Sequence, residues 1–276
     1  MKIGVIIQAR TSSTRLPRKV LKPLPFNSDI NVLQQVIRRV NQSKLINEII
    51  IATTTQKEDD EIVDVAKKEN VNWYRGSLEN VLERYYLAAL ENNLDIIVRI
   101  TSDCPCVDSD VIDKIIEKHL ESNADYTSNT LNRGFPRGID GEVINFDVLE
   151  KAYNQATDKF EKEHVTPFIY KTHPEDFNIV QYTTLEDNSD IRITLDTPQD
   201  YALLCSVYDN LYNKNKFFSL TDVIELFNNK PYLKDINSEI TQKKVCNSLT
   251  EELDEVINLC EKQDLDRAKE YIKKII

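Results

Sequence analysis

An α/β fold is what this sequence predicts, with a largely parallel sheet flanked by helices and a helical segment appended at the C-terminus. Three observations carry that expectation. Short apolar runs at Ile3–Ile7, Glu48–Ala52 and Asp95–Thr101 read as buried strands. Between them lie segments whose apolar residues recur at helical spacing, the rhythm of βαβ crossovers, so neighbouring strands should run parallel. Beyond Pro231 the strand-like runs stop and a highly charged helical pattern takes over.

Composition narrows the class. A chain of 276 residues that is 41% apolar and 29% charged can bury a substantial core beneath a solvated surface. Its formal net charge of −11 excludes nonspecific nucleic-acid binding, which needs a broad cationic face. A basic loop on so acidic a protein is therefore a local device for a small anion. The five cysteines, Cys104, Cys106, Cys205, Cys246 and Cys260, are odd in number and irregularly spaced, with no paired ligand set for structural zinc. With no signal-like or membrane-length apolar stretch, the sequence predicts a cytoplasmic protein with reduced thiols and no membrane partner.

The elements follow in order. After the strand Ile3–Ile7, Asn31–Val40 carries Val32, Leu33, Val36, Ile37 and Val40 on one helix face. Glu48–Ala52, Glu58–Asn70, Val71–Tyr74 and Leu78–Asn92 continue as strand, helix, strand, helix, and Asp95–Thr101 and Asp110–Ser122 make the next pair. Then strands at Asp125–Thr130 and Glu142–Phe146 flank a Gly- and Pro-rich loop, followed by a helix at Asp147–Gln155. Phe160–Lys171 is predicted helical with a break near Pro167, which has no N–H to donate. Phe177–Thr183 and Ile191–Leu195 are predicted strands. Thr197 should cap a helix over Pro198–Leu211 with proline at its first position, and Leu220–Phe227 is a short helix. The boundary falls at residue 235. Residues 236–276 form a helical extension, with Asn247–Ile276 read as a hairpin for packing or homodimerisation. Its apolar patches are Leu253, Val256, Ile257, Leu259 and Cys260, then Tyr271, Ile272, Ile275 and Ile276.

Candidate chemistry gathers at strand ends. The loop after the first strand holds Arg10, Arg15, Arg18 and Lys19 around four hydroxyl residues, Thr11 to Thr14. It lies beyond a strand's carboxyl end, where open α/β sheets bind ligands. Fixed cations, hydroxyls and free N–H groups there suit a triphosphate, with a solvated basic loop as the alternative. Asp103 directly follows the strand ending at Thr101, with Ser102 between them and Pro105 stopping the turn. It either holds a divalent cation against phosphates or closes an Asx turn. Asp196 repeats that pattern and is the second candidate ligand, or part of an ordinary strand-to-helix turn. Together these residues make a phosphoryl-transfer set, in which a nucleophile attacks the α-phosphorus in line and expels pyrophosphate. Arg75, Ser77 and Arg84 form a candidate base and ribose pocket. Arg137, Asp140 and Glu142 suit a polar acceptor or else a plain surface loop. His164 is a weaker acceptor candidate or a satisfied helix histidine. Cys104 and Cys106 have no partnered base, so they are read as packing residues.

These residues stand in a familiar order. Val5-Ile6-Ile7-Gln8-Ala9-Arg10-x4-Arg15-Leu16-Pro17-x-Lys19-Val20-Leu21 resembles the opening of the spore-coat-polysaccharide-type cytidylyltransferases, relatives of the acylneuraminate and KDO cytidylyltransferases. Arg75-Gly76-Ser77-x2-Asn80-Val81-Leu82-x-Arg84-Tyr85, Thr101-Ser102-Asp103-Cys104-Pro105, Asp140-Gly141-Glu142-Val143, Glu163-His164-Val165-Thr166-Pro167 and Leu195-Asp196-Thr197-Pro198-x-Asp200 follow in the family's order. The resemblance covers about residues 1 to 235. It implies a glycosyltransferase-A-like, Rossmann-like nucleotidyltransferase domain. Such an enzyme uses CTP and Mg²⁺ to place CMP on a sugar, sugar acid or related small acceptor. Carried over by position, Arg15 and Lys19 hold phosphates, and Gln8, Ala9, Arg10, Thr101 and Ser102 line the nucleotide. Ser77 and Arg84 lie near base or ribose, Asp103 and Asp196 bind metal, and Arg137, Asp140, Glu142 and His164 face the acceptor. Thr11 to Thr14 stand where the better-known enzymes carry glycines, and Arg18 and Ser102 each replace a glycine common in relatives. A glycosyltransferase using a sugar nucleotide and a catalytically inactive nucleotide-binding scaffold are the competing functions.

Overall fold

In the computed structural model, which describes residues 1–240 and 249–274, seven strands form one mixed sheet. They are β1 Ile3–Gln8, β2 Glu48–Thr54, β3 Asn72–Gly76, β4 Ile96–Thr101, β5 Tyr126–Ser128, β6 Glu142–Asn145 and β7 Ile179–Gln181. Their order across the sheet is β3-β2-β1-β4-β6-β5-β7. The first four run parallel, β6 lies antiparallel between β4 and β5, and β7 is parallel to β5. The predicted α/β class with a mostly parallel sheet is what forms.

Side chains alternate across this sheet with period two, and both faces are covered. Ile3, Val5 and Ile7 of β1 and Ile96, Val98 and Ile100 of β4 enter one apolar cluster. It is built with helices α1 Val32–Val40, α2 Asp60–Lys68, α4 Ser109–Glu121, α7 Pro198–Leu211 and α8 Leu220–Asn229. Ile6 and Ile97 enter the opposite cluster, against α3 Val81–Glu91 and α5 Phe146–Gln155. The helices start where local chemistry stops the previous turn. Asn31 caps α1 in a reciprocal box with Gln34, and Thr197 caps α7 with Pro198 at the first position. Helix α3 begins three residues later than its periodicity suggests. Ser77 accepts from the Asn80 N–H, and Asn80 caps Glu83. Arg39 of α1 is 3% exposed and donates to the carbonyls of Val107, Lys216 and Phe218, tying that helix to two loops.

Two predicted elements differ. Ile191–Leu195 is no strand of the sheet. It is an extended tether with one isolated bridge, Arg137 to Arg192. Its backbone bonds go to irregular partners: Ile193 N–H donates to Arg137, and Leu195 N–H to Asp103. No straight neighbour exists for a ladder because Gly138, at φ 109°, turns the 133–141 loop against it; a Cβ there would meet the Ile193 carbonyl at 2.7 Å. The Phe160–Lys171 helix breaks at Val165, φ 74°, two residues before Pro167. It leaves α6 Lys159–His164 and a wide turn at Phe168–Thr172.

The chain divides into two compact units, Met1–Asn237 and Ser238–Ile276. The second contains α9 Leu249–Lys262 and α10 Asp266–Ile272, linked by a Lys269–Glu261 ion pair of 3.1 Å. Asn247, where the predicted hairpin starts, Cys246, Ile275 and Ile276 lie outside the described residues. Cys104, Cys106, Cys205 and Cys260 are free thiols. Among the described residues no helix is long and apolar enough to cross a membrane.

His119, 1% exposed on α4, gives a pH-dependent stability term. Its Nε2 lies 3.0 Å from the Asn145 Oδ1 and its Nδ1 3.0 Å from the Thr127 hydroxyl. Asn145 Nδ2 already donates to Ala124, so its Oδ1 is an acceptor and the neutral ring carries its proton on Nε2. Burial lowers the His119 pKa from 6.5, outweighing the bond to Asn145. A folded pKa below the unfolded one gives stability that is complete above about pH 6.5 and is lost as pH falls through the folded value. Tm should therefore drop more steeply between about pH 7 and pH 5 in the wild type than in His119→Gln. Parallel curves for the two proteins would refute this assignment.

Candidate active site

The chain moves outward from β1 to β2 and β3, then returns to place β4 on the other side of β1. That reversal opens a crevice beyond the carboxyl ends of β1 and β4, the usual ligand position in such sheets. The 9–19 loop enters the crevice from β1, and the 102–105 turn enters from β4. The 191–195 tether delivers a third segment, since its bonds to Asp103 and Arg137 lay it across the same opening.

At the meeting point Lys19 bridges two carboxylates. Its Nζ lies 2.7 Å from Asp103 Oδ2 and 2.8 Å from Asp196 Oδ1. Arg15 reaches Asp196 at 3.1 Å and Arg192 reaches it at 2.9 Å. Burial works against ionising Asp196, but the Lys19 charge and hydrogen bond, with Arg15 and Arg192, hold its pKa down to about 2. Burial likewise disfavours the Lys19 ammonium. Asp103 and Asp196 outweigh that and raise its pKa above the ordinary lysine value. Sequence positions 15, 19, 103 and 196 thus converge on one centre.

Asp196 sits on a seat that sequence reasoning left without a role. Asp200, 1% exposed, accepts two bonds from Arg192, at 2.9 and 3.1 Å, and one from Asn237 at 2.8 Å. It also accepts the backbone N–H groups of Asp196 and Thr197, both at 3.0 Å. The signal was present in the sequence: Asp200 is the third residue of a capped helix, where an acidic side chain folds back on the cap.

Among the nucleotide candidates, Gln8 ends β1, and Ala9, 3% exposed, donates its N–H to Ala52. Arg10 is exposed and has no hydrogen-bond or ion-pair partner among the described residues. Arg84 is 2% exposed; its Nη1 donates to the Ala52 carbonyl at 3.3 Å, while Nε has no partner. Thr101 lies 3.2 Å from Cys104 Sγ, and Ser102 is buried. Desolvation keeps Cys104 and Cys106 protonated, with Cys106 pushed up to about 12, consistent with packing roles. Arg75, a base-pocket candidate, is held within the chain. It donates to Thr54, Asp60 and Gln56, pinning the segment after β2. In the loop, the Thr11 hydroxyl is bonded to Asp59, and Arg18 turns outward to Glu61. Arg18 has φ 56°, which explains why glycine suits that position.

Among the acceptor candidates, Glu142 is 6% exposed and its oxygens are occupied. It accepts from Arg99, from Tyr126 at 2.5 Å and from Thr166 at 2.9 Å. Arg99, another group sequence reasoning missed, sits opposite Glu142 across the β4–β6 pair and also reaches Gln8 at 3.4 Å. Burial depresses the Arg99 pKa, but Glu142 more than compensates and the guanidinium stays charged. Asp140 is paired to Arg133 at 2.6 and 3.2 Å. Arg137 is half-buried, its pKa lowered by desolvation and by Arg133 and Arg192. His164 packs on Phe160 at 4.8 Å, and burial lowers its pKa.

A protein-family model described as Cytidylyltransferase matches residues 4–272. This chain belongs to the cytidylyltransferase family. It is accordingly a CTP-dependent nucleotidyltransferase that transfers CMP. The match runs past residue 235, beyond the stretch that the sequence motifs cover. The chain is 39% identical over 245 residues to Uncharacterized protein MJ1063 of Methanocaldococcus jannaschii, covering 88% of this chain and 97% of that protein. It is 34% identical over 241 residues to the spore coat polysaccharide biosynthesis protein SpsF of Bacillus subtilis, covering 82% and 94%. A solved cytidylyltransferase from Leptospira borgpetersenii superposes with a TM-score of 0.80 at 34% identity, over 88% of this chain and all of that one.

Proposed function

We propose that this cytidylyltransferase is Mg²⁺-dependent, and that it places CMP on a sugar, sugar acid or related small acceptor for polysaccharide biosynthesis. The observation that carries the metal reading is Lys19. One ammonium in contact with both Asp103 and Asp196 means that both carboxylates can face one cation. Among the described residues no cluster of three or more His, Cys, Asp or Glu side chains could hold a metal. Two carboxylates completed by substrate phosphates are the donor set that suits Mg²⁺, so the residues fit it. Asp103 and Asp196 would hold the ion, and its contribution when bound is to neutralise charge on the triphosphate.

The chain's own residues supply the rest. Lys19 and Arg15, resting on carboxylates here, are placed to turn to phosphate oxygens as the nucleotide arrives. Arg10 is free to join them. Arg84 keeps an unpaired donor beside Ala9 and is the candidate for the base or ribose, with Gln8, Ser77, Thr101 and Ser102 around the nucleotide. An acceptor oxygen then attacks the α-phosphorus in line, and pyrophosphate leaves. Arg137, half-buried with no side-chain hydrogen bond among the described residues, faces that acceptor with Asp140 and His164. Glu142 acts through Arg99. The relationship to SpsF supports an acceptor from polysaccharide biosynthesis. The C-terminal helices are the candidate dimerisation element, and the working compartment is the cytoplasm.

Melting-temperature shifts with each of the four nucleoside triphosphates and Mg²⁺ test the nucleotide, since stabilisation follows RT ln(1 + [L]/Kd). The expected result is a shift selective for CTP that disappears when Mg²⁺ is chelated. Asp103→Ala should lower pyrophosphate release, measured across a panel of sugar acids and sugars, at least ~10²-fold. Equal shifts with all four nucleotides, or an undiminished Asp103→Ala, would overturn this reading.

A further inference from the structure

We propose that Asp59 is a positioning residue for CTP, and that the consecutive carboxylates Asp59, Asp60 and Glu61 hold the phosphate loop and the base-side strand at a fixed separation. The inference rests on the CTP reading above, but on different residues. Asp59 is 1% exposed, and its Oδ1 accepts both the N–H and the hydroxyl of Thr11, each at 2.7 Å. Its Oδ2 accepts from the Thr54 hydroxyl at the end of β2. Thr11 is in turn the pin of the loop. Its carbonyl accepts from Ser13 at 2.8 Å and from Arg18 at 3.1 Å, so the chain folds back on it. Fixing Thr11 therefore fixes the entry at Arg10 and the exit at Arg18 together.

The next two carboxylates extend the brace. Glu61 takes a two-pronged ion pair from Arg18, at 2.7 and 2.5 Å, at the loop's exit. Asp60 takes Arg75 at 2.6 Å, and Arg75 also donates to the Thr54 and Gln56 carbonyls, both at 2.8 Å. Thr55 N–H donates to Gly76, so β3 is tied to the same segment just before the Ser77 turn and α3. Three successive side chains point three ways because a 3-10 turn, Lys57–Asp59, runs directly into α2. Successive residues there are rotated by about 100°. One short segment thus grips the phosphate loop at two points and the base-side strand at a third.

The consequence is preorganisation. A loop with four consecutive hydroxyl residues and no glycine has competing local hydrogen bonds available. Anchored on Asp59, it is ordered before the triphosphate arrives; unanchored, the ordering must be met from binding energy. Lys19 has its own contacts to Asp103 and Asp196, so the loss should fall on nucleotide affinity.

Calorimetric Kd for CTP with Mg²⁺, measured on the full chain beside its Tm, tests this. Asp59→Ala should weaken CTP at least ~10-fold, as expected for losing bonds to a buried charge. Asp59→Asn, which keeps an acceptor for the Thr11 N–H, should recover part of that. Thr11→Val should weaken CTP by roughly 3- to 10-fold, and the Asp59→Ala/Thr11→Val pair should be no weaker than Asp59→Ala alone. If Asp59→Ala does not fold, Thr11→Val decides by itself. A wild-type Kd in a folded variant, or a lowered Tm with unchanged Kd, overturns the positioning role. Wild-type protein that fails to bind CTP would instead overturn the CTP reading.

Discussion

Lys19→Met is expected to lower kcat/KM for CTP roughly 10³-fold and, without any nucleotide, to make the protein's Tm respond to Mg²⁺. The two effects come from one geometry. In the wild type the ammonium lies within 2.8 Å of both Asp103 and Asp196 and occupies the point where their charges converge. A divalent cation arriving alone must displace it. With a methionine there, two carboxylates that keep only 24% and 16% exposure face each other without their shared cation. Arg15 and Arg192 still hold Asp196, so the loss falls mainly on Asp103 and should cost about 1–2 kcal/mol, below the ~3–5 of a fully buried broken pair. A divalent ion would relieve it, so Mg²⁺ should raise Tm in the variant and do little in the wild type. Activity falls because a thioether neither donates to phosphate nor carries charge. Differential scanning fluorimetry with and without Mg²⁺, alongside pyrophosphate release, reads both effects. A variant indifferent to Mg²⁺ would mean that the two carboxylates do not share a cation.

That cluster shows how far the sequence could be read. Lys19, Asp103 and Asp196 were each identifiable separately, as polar groups at the carboxyl end of an apolar run or just before a helix cap. Such signals are local, and so were the period-two runs of β1 and β4 and the cap at Thr197. What a local pattern does not encode is the partner of each polar group. Asp59 meets Thr11 across 48 positions, and Arg39 finds Lys216 and Phe218 across 177 and 179. The apolar alternation of Ile191, Ile193 and Leu195 suggests a strand, and all three are buried. Yet whether an extended segment joins a ladder depends on its neighbour, and here the neighbours are a Gly138 turn and the Asp103 turn. Glu142 is an acceptor candidate by its loop and motif, but its alignment with Arg99 follows from the antiparallel register of β4 and β6, which no single-strand pattern reveals.

Asp200→Asn should be the most destabilising conservative change near the site, by about 3 kcal/mol. In a domain of this size that is roughly 6–12 °C in Tm. The wild-type carboxylate accepts from Arg192, Asn237 and the backbone N–H groups of Asp196 and Thr197. Burial alone would favour its protonation, but those donors reverse that, and its pKa ends below the ordinary aspartate value. An amide of the same shape presents an NH₂ group to some of these donors, so buried donors lose their acceptor while Arg192 stays charged beside Asp196. Activity should fall as well, about 10- to 100-fold, because an NH₂ group at the Oδ1 position opposes Arg192 and Asn237 and loosens the seat that aims Asp196. A second substitution separates the two losses. Adding Arg192→Met to an Asp200→Ala background removes a guanidinium that has lost one of its carboxylates and should return part of the stability, since replacing both members of a buried pair costs far less than removing one. It should not return the activity, because the Asp196 and Thr197 N–H groups still lack their acceptor. Recovery of both together would mean that Asp200 serves only to neutralise Arg192. Recovery of stability alone would identify Asp200 as the residue that aims Asp196.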